Sequence, residues 1–363
     1  PEPAICGGCR ELSILFKIIL KDLMQSSLKY FQLGDIKLLS GKVLPDAVLA
    51  YTTSGELSPN KDNVVLLPTF YTGSHIRNEG FFGAERAIDP ARHFIISVNM
   101  FGNGFSTSPS NAADSVRGSH FPDISLYDNV FCQHRLLTEK LGIERIRLVA
   151  GWSMAGCQAY HWAAQFPEMV ETILPFCASA RTSPHNFVFL EGVKAALTAD
   201  QSWNEGNYTS PPESGLKAFG RVYAGWAFSQ SFYREGLFRN LGFETVEDLL
   251  QDWEKDHLNW DANNLLAKLR TWQTADISTN PIYGSAFQLA LGAIQAKTIV
   301  IACSSDLYFP PEDNKIEVQE MRNAELRIYD SPWGHCVASP GNDPKFTRFL
   351  DSAIAELLET DFC

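Results

Sequence analysis

The chain has 363 residues, 45% of them hydrophobic and 20% charged, and a formal net charge of −12. That length suits one main core carrying an insertion, and the composition excludes a disordered chain. The acidic balance argues against nucleic acid or anionic lipid as a partner, since both need a basic surface. A small-molecule substrate is left as the expected partner.

In chain order, Glu11 to Lys29 reads as a helix, with Leu12, Leu15, Phe16, Ile19 and Leu23 on one face. Residues 1–29 are taken as an N-terminal helical extension, which packs on its own domain or docks on a second copy as a homodimer. Lys17 and Lys21 interrupt its apolar run, so no membrane span is expected, and no small-x-small cleavage site marks a signal peptide. The eight cysteines are scattered, as free thiols in a reducing, cytoplasmic setting would be. Cys6 and Cys9 form a lone C-x-x-C pair, and two sulfurs do not complete a zinc site, so no metal is expected.

From Phe31 the pattern turns to short strands, at Lys37–Leu39 and Val48–Tyr51, followed by the continuous apolar runs Val64–Leu67 and Phe94–Val98. Tyr127 to Leu141 reads as a helix, Ile146–Ala150 as a buried strand and Ile173–Phe176 as another. Strands alternating with helices predict a mostly parallel α/β sheet with helices on both faces. The alternation stops from about 182 to 295, where helical stretches carry Trp203, Trp226, Trp253, Trp260 and Trp272. This segment is expected to be a helical cap inserted into a core formed by 30–181 and 296–363. Lys297–Ala302 and Leu326–Tyr329 supply the last strands, and Phe346 to Leu358 a closing helix.

The chemistry centres on Gly151-Trp152-Ser153-Met154-Ala155-Gly156, placed between a strand and a helix that stops at Pro167. A serine at such a turn matches the nucleophile elbow G-x-S-x-G, although Ala155 stands where the pattern asks for glycine. A serine hydroxyl needs a positioned base, and the base an orienting carboxylate. The loops after the later strands offer Asp306 and then His335, in the order Ser, Asp, His. Ser153, Asp306 and His335 are therefore the candidate triad. The backbone amides of Met154 and of Tyr71, in the loop after Val64–Leu67, are the candidate oxyanion hole, with Phe70 as a close competitor for the second place. His75 is read as a loop-stabilising residue and His161 as structural. Phe70, Trp152 and Trp226 are the candidate substrate-binding side chains.

Beyond about Phe31 the chain resembles the homoserine O-acetyltransferase-like family of α/β-hydrolases. The resemblance rests on Gly151–Gly156, Ser305-Asp306-Leu307-Tyr308-Phe309-Pro310-Pro311, Gly334-His335, Trp260-Asp261-Ala262-Asn263 and Tyr71-Thr72-Gly73. It implies the α/β-hydrolase fold, a serine nucleophile and acyl-enzyme chemistry. Where true homoserine acetyltransferases carry T-Y-R-S, this chain has Tyr223-Ala224-Gly225-Trp226 and no arginine at the matching place. The expected activity is hydrolysis of an ester or related acyl bond of a largely apolar small molecule, with no cofactor. Two alternatives stand beside it: transfer from acyl-CoA, as co-substrate, to an alcohol other than homoserine, and a non-acyl or binding role on a retained fold.

Overall fold

Three strands, Val64–Pro68 (β3), Leu148–Trp152 (β5) and Thr172–Phe176 (β6), are buried along their whole length. Strands that apolar need a sheet covered on both faces. The computed structural model, which describes residues 28–359, supplies such a sheet. With Lys29–Lys37 (β1), Val43–Ser54 (β2), Phe94–Val98 (β4), Lys297–Cys303 (β7) and Ala324–Tyr329 (β8), it has eight strands in the order β1-β2-β4-β3-β5-β6-β7-β8. β2 runs antiparallel to both β1 and β4, and every other neighbouring pair is parallel. Successive residues serve opposite faces: Leu148 and Ala150 join one core cluster, Val149 the other.

The first strand is where the sequence misleads. It covers Lys29–Lys37 rather than Lys37–Leu39, and its first residue is the last of the expected helix. Its register with β2 shifts on both sides of Gly34, whose φ is +69°, so the apolar alternation that marks a strand is broken there. The rest of the expected Glu11–Lys29 helix, and the Cys6–Cys9 pair, lie outside the described residues. The elbow strand also starts two residues later than the sequence suggests and runs to Trp152, directly into Ser153.

Between β6 and β7 the chain forms helices that include Pro184–Thr198, Glu213–Ala227, Val246–His257 and Ala262–Gln273. Ser183, Thr245 and Asp261 cap the first, third and fourth of these with side-chain acceptors. Their aromatic side chains join the same cluster as the upper face of the sheet. Among the described residues no helix is long and apolar enough to cross a membrane.

Helix Pro311–Glu320, unmarked by a strong apolar pattern, anchors the loop after β6. Its Glu317 is buried and accepts from the Ala180 amide at 2.7 Å, the Tyr160 hydroxyl at 3.2 Å and Asn314 Nδ2 at 2.9 Å. Burial pushes the carboxyl up to about 7 from an ordinary 4.5. The native state therefore holds this proton more tightly than the unfolded chain. Below about pH 4.5 both states are protonated and the group is neutral to stability; the penalty grows as pH rises and is complete above about pH 7. Glu317→Gln is neutral at every pH. The stability of that variant relative to the parent should rise between pH 5 and pH 8 by on the order of 3 kcal/mol in denaturant melts. A difference independent of pH would show that the buried carboxyl does not titrate in this way.

Candidate active site

Ser153 joins β5 to helix Met154–Gln165 in a conformation that L residues avoid, with φ 59° and ψ −131°. Its amide donates to the Phe176 carbonyl at 3.1 Å and its carbonyl accepts from the Cys157 amide at 3.0 Å. Strain of this kind persists only where the surroundings enforce it. Here the enforcement is close packing without side chains. A Cβ on Gly151 would stand 2.5 Å from Ala155 Cβ, and one on Gly156 would stand 2.5 Å from Ala178 Cβ and 2.7 Å from the Gly151 carbonyl oxygen. The methyl of Ala155 is thus accommodated by Gly151 opposite it, and Gly156 provides the close approach of helix to sheet. All twelve residues of the helix are buried.

His335 lies in a turn, Gly334–Ala338, after β8. Its Nδ1 is 2.8 Å from Asp306 Oδ2, and Asp306 Oδ1 accepts from the amides of Tyr308 at 2.8 Å and Phe309 at 3.1 Å. The carboxylate is therefore held on both oxygens, which orients it toward the imidazole. Gly334 has φ +62°, and a Cβ there would meet the Ser229 amide nitrogen at 2.8 Å. Trp152 stacks on the His335 ring, centroids 5.1 Å apart, and Tyr308 meets it edge-on at 4.6 Å.

The loop after β3 comes to the same place. Gln158, on the elbow helix, donates to the Thr69 carbonyl at 2.8 Å and is itself held by Gln133 at 2.7 Å. The Phe70 carbonyl accepts from the Gly73 amide at 3.0 Å. This fixes the peptide plane that carries the Tyr71 N–H. His75 is buried against Asn99. His161, whose pKa burial lowers to about 3, stays neutral on the elbow helix.

Ser153, His335, Trp152, Phe70 and Tyr71 line one cavity of about 300 Å³. Met154, the first residue of the helix after Ser153, is fully buried and does not itself line the cavity. Opposite stand Tyr223, Phe228, Phe243 and Trp253 from the helical segment. Trp226 does not line this cavity: it packs on Phe189, centroids 4.8 Å apart, and on His185 at 5.0 Å. It shares a helix with Tyr223 but faces the adjacent helix Pro184–Thr198, and a tryptophan count alone does not separate these faces. Three charged residues that the sequence did not single out also line the cavity, Arg77, Asp252 and Asp256. The Arg77 guanidinium lies 5.3 Å from the Phe70 ring centre and 5.9 Å from that of Trp152. Arg77 follows the loop after β3 by a few residues, and that proximity in sequence is the signal that points to it. Arg221 is engaged by Glu247 and Glu254 outside the cavity. Among the described residues no cluster of His, Cys, Asp and Glu could hold a metal ion.

A serine at a strained strand-to-helix turn, on a mostly parallel sheet with an Asp–His pair at later strand ends, defines an α/β-hydrolase. The sequence matches the family described as alpha/beta hydrolase fold over residues 62–340, and the chain belongs to it. It is 36% identical over 332 residues to an ethyl acetate hydrolase of Pseudomonas veronii, covering 90% of this chain and 94% of that protein. It is 33% identical over 337 residues to a homoserine O-acetyltransferase of Nostoc punctiforme, covering 88% and 94%. The crystal structure of an acetylester hydrolase from Corynebacterium glutamicum matches with a TM-score of 0.89 and 34% identity, covering 92% of this chain and 96% of that one. The protein is an enzyme of this family, whose relatives include both esterases and acetyltransferases.

Gly156→Ala should cost about 1–3 kcal/mol by overpacking, whereas Ala155→Gly should cost only the helix propensity of about 1 kcal/mol and leave kcat unchanged; melts and steady-state kinetics check both. Trp226→Ala should lower stability, by less than the roughly 3–5 kcal/mol of a fully buried aromatic. It should leave the ranking of short and long esters as it is, and a changed ranking would put this side chain back in the substrate site.

Proposed function

We propose that the protein hydrolyses carboxylic esters of small molecules through an acyl group on Ser153, without cofactor or metal. The carrying observation is that His335, bonded at 2.8 Å to Asp306, shares a cavity with a serine in the strained elbow conformation. In this reading His335 takes the Ser153 proton as the hydroxyl attacks the ester carbonyl. Asp306 fixes the tautomer that leaves Nε2 free to act as base. The negative charge on the tetrahedral carbonyl oxygen is met by the amides of Met154 and Tyr71, the first of them at a helix N-terminus. His335 then gives the proton to the departing alcohol, and a water activated by the same imidazole releases the acid.

The cavity size and its walls of Phe70, Trp152, Tyr223, Phe228, Phe243 and Trp253 favour short, mainly apolar esters. Residues 182–295 act as the cap in this account, supplying the aromatic wall opposite the nucleophile. Similarity to the ethyl acetate hydrolase supports water as acceptor. Transfer to homoserine is not favoured. Arg77 lines the cavity and offers a cation for its carboxylate, but this chain has Tyr223-Ala224-Gly225-Trp226 where homoserine acetyltransferases carry T-Y-R-S, without the arginine of that segment. A cytoplasmic setting is part of the proposal, supported by five buried free thiols among the described residues.

Ser153→Ala should abolish covalent labelling by a fluorophosphonate and reduce ester turnover by orders of magnitude. Asp306→Asn should keep the fold and lower kcat by about 10³–10⁴-fold, through loss of the correct imidazole tautomer. Labelling that survives Ser153→Ala would end the proposal. Efficient acetyl transfer from acetyl-CoA to homoserine would replace hydrolysis with the transferase reading.

A further inference from the structure

The oxyanion loop is gripped from two sides, and one side is a buried lysine. Lys268, on helix Ala262–Gln273, has no exposed surface, and its ammonium donates to the backbone carbonyl of Tyr71. The same ammonium lies 3.9 Å from the centre of the Trp260 ring and 5.4 Å from that of Tyr71. No carboxylate is within ion-pair distance of it among the described residues, although the charge of Asp256 acts on it at longer range. A second contact joins the same helix to the same residue: the Tyr71 hydroxyl donates to the Leu265 carbonyl at 3.0 Å.

Burying an ammonium without a paired carboxylate costs stability, and an apolar side chain of similar length would avoid that cost. Burial accordingly pushes the Lys268 amine down to about 7 from 10.5. Charged or neutral, the amine keeps an N–H for the Tyr71 carbonyl. A costly group aimed at one backbone oxygen of the loop next to the nucleophile indicates what it is kept for. The Gly73 amide holds the peptide plane before Tyr71 and Lys268 holds the one after it, so the backbone at Tyr71 is pinned on both sides.

We propose that Lys268 is a positioning residue that locks the Tyr71 peptide, and with it the oxyanion hole, to the helical segment above the cavity. The proposal rests on the assignment of the Tyr71 amide to the oxyanion hole of a Ser153 esterase. Oxyanion donors act on the tetrahedral state more than on the bound ester, so a loosened donor lowers kcat rather than raising KM.

The test compares the full chain with its Lys268→Met variant, using p-nitrophenyl acetate as substrate and a small boronic acid as a tetrahedral adduct on serine. The expected result is a melting midpoint within about 4 °C of the parent and KM within about twofold. With these, kcat should be lowered roughly 10–100-fold, below the 10²–10³ of deleting a direct donor, and boronate affinity lowered in parallel. Unchanged kcat and boronate affinity would overturn the proposal, as would a loss of kcat with boronate affinity intact. Should Lys268→Met not fold, Lys268→Leu asks the same question with less bulk, and failure of both to fold would make the lysine structural and overturn the proposal. Fluorophosphonate labelling of the parent and of Ser153→Ala runs alongside. Labelling that persists in Ser153→Ala defeats the esterase reading itself, whereas labelling lost there with Lys268→Met fully active defeats only the lysine.

Discussion

Everything in this site depends on a strand turning into a helix within one residue. Ser153 can occupy its strained backbone conformation only because the chain on either side is nearly bare: Gly151 faces Ala155, and Gly156 faces Ala178 and the Gly151 carbonyl. Those contacts are short-range repulsions, steep in distance, so they define the turn more sharply than any attraction between the same groups could. The motif pattern asks for glycine two residues after the serine. The physical requirement is weaker, namely one missing side chain at each point of contact, and this chain meets it with a different distribution of glycines.

Around that turn the polar groups form a connected frame. Trp162 donates to Gln133 at 2.9 Å, Gln133 to Gln158 at 2.7 Å, and Gln158 to the Thr69 carbonyl at 2.8 Å. Asn78 extends it, donating to the Leu67 and Pro68 carbonyls at 2.9 and 3.0 Å. The end of β3 is thereby tied to the helix that follows Ser153. In a buried, low-dielectric setting each such bond is costly to break, because the freed group finds no water. The spacing between Ser153 and the loop after β3 is set by this frame.

How much of this was legible depended on the length scale of the signal. β3, β4 and β7 announce themselves as short apolar runs between turn residues, and the order Ser153, Asp306, His335 follows from where strands end. The structure brings those three residues to one place through the sheet order, which no local pattern encodes. β1 escapes the sequence pattern because its register shifts at Gly34 erase the period of two. Helix Pro311–Glu320 left only its Pro310-Pro311 start and acidic first turn as signs. Trp226, Arg77, Asp252 and Asp256 share a different difficulty. Which face of a helix or loop meets a cavity is decided by packing between elements distant in sequence, so Trp253 lines the site while Trp226, equally aromatic, does not.

The contact at Gly334 bears on how such an enzyme diversifies. The loop that carries His335 is in backbone contact with Phe228 and Ser229, and Ser229 Oγ donates to the Pro332 carbonyl. The helical segment therefore meets the His335 loop as well as lining the cavity. Modules that meet a scaffold only through side chains can be exchanged between homologues with modest repacking. Here a graft would have to reproduce a main-chain junction at 227–229 to within a few tenths of an ångström, or displace the imidazole. Exchange of the whole helical segment is thus more tightly constrained than point changes along the cavity wall.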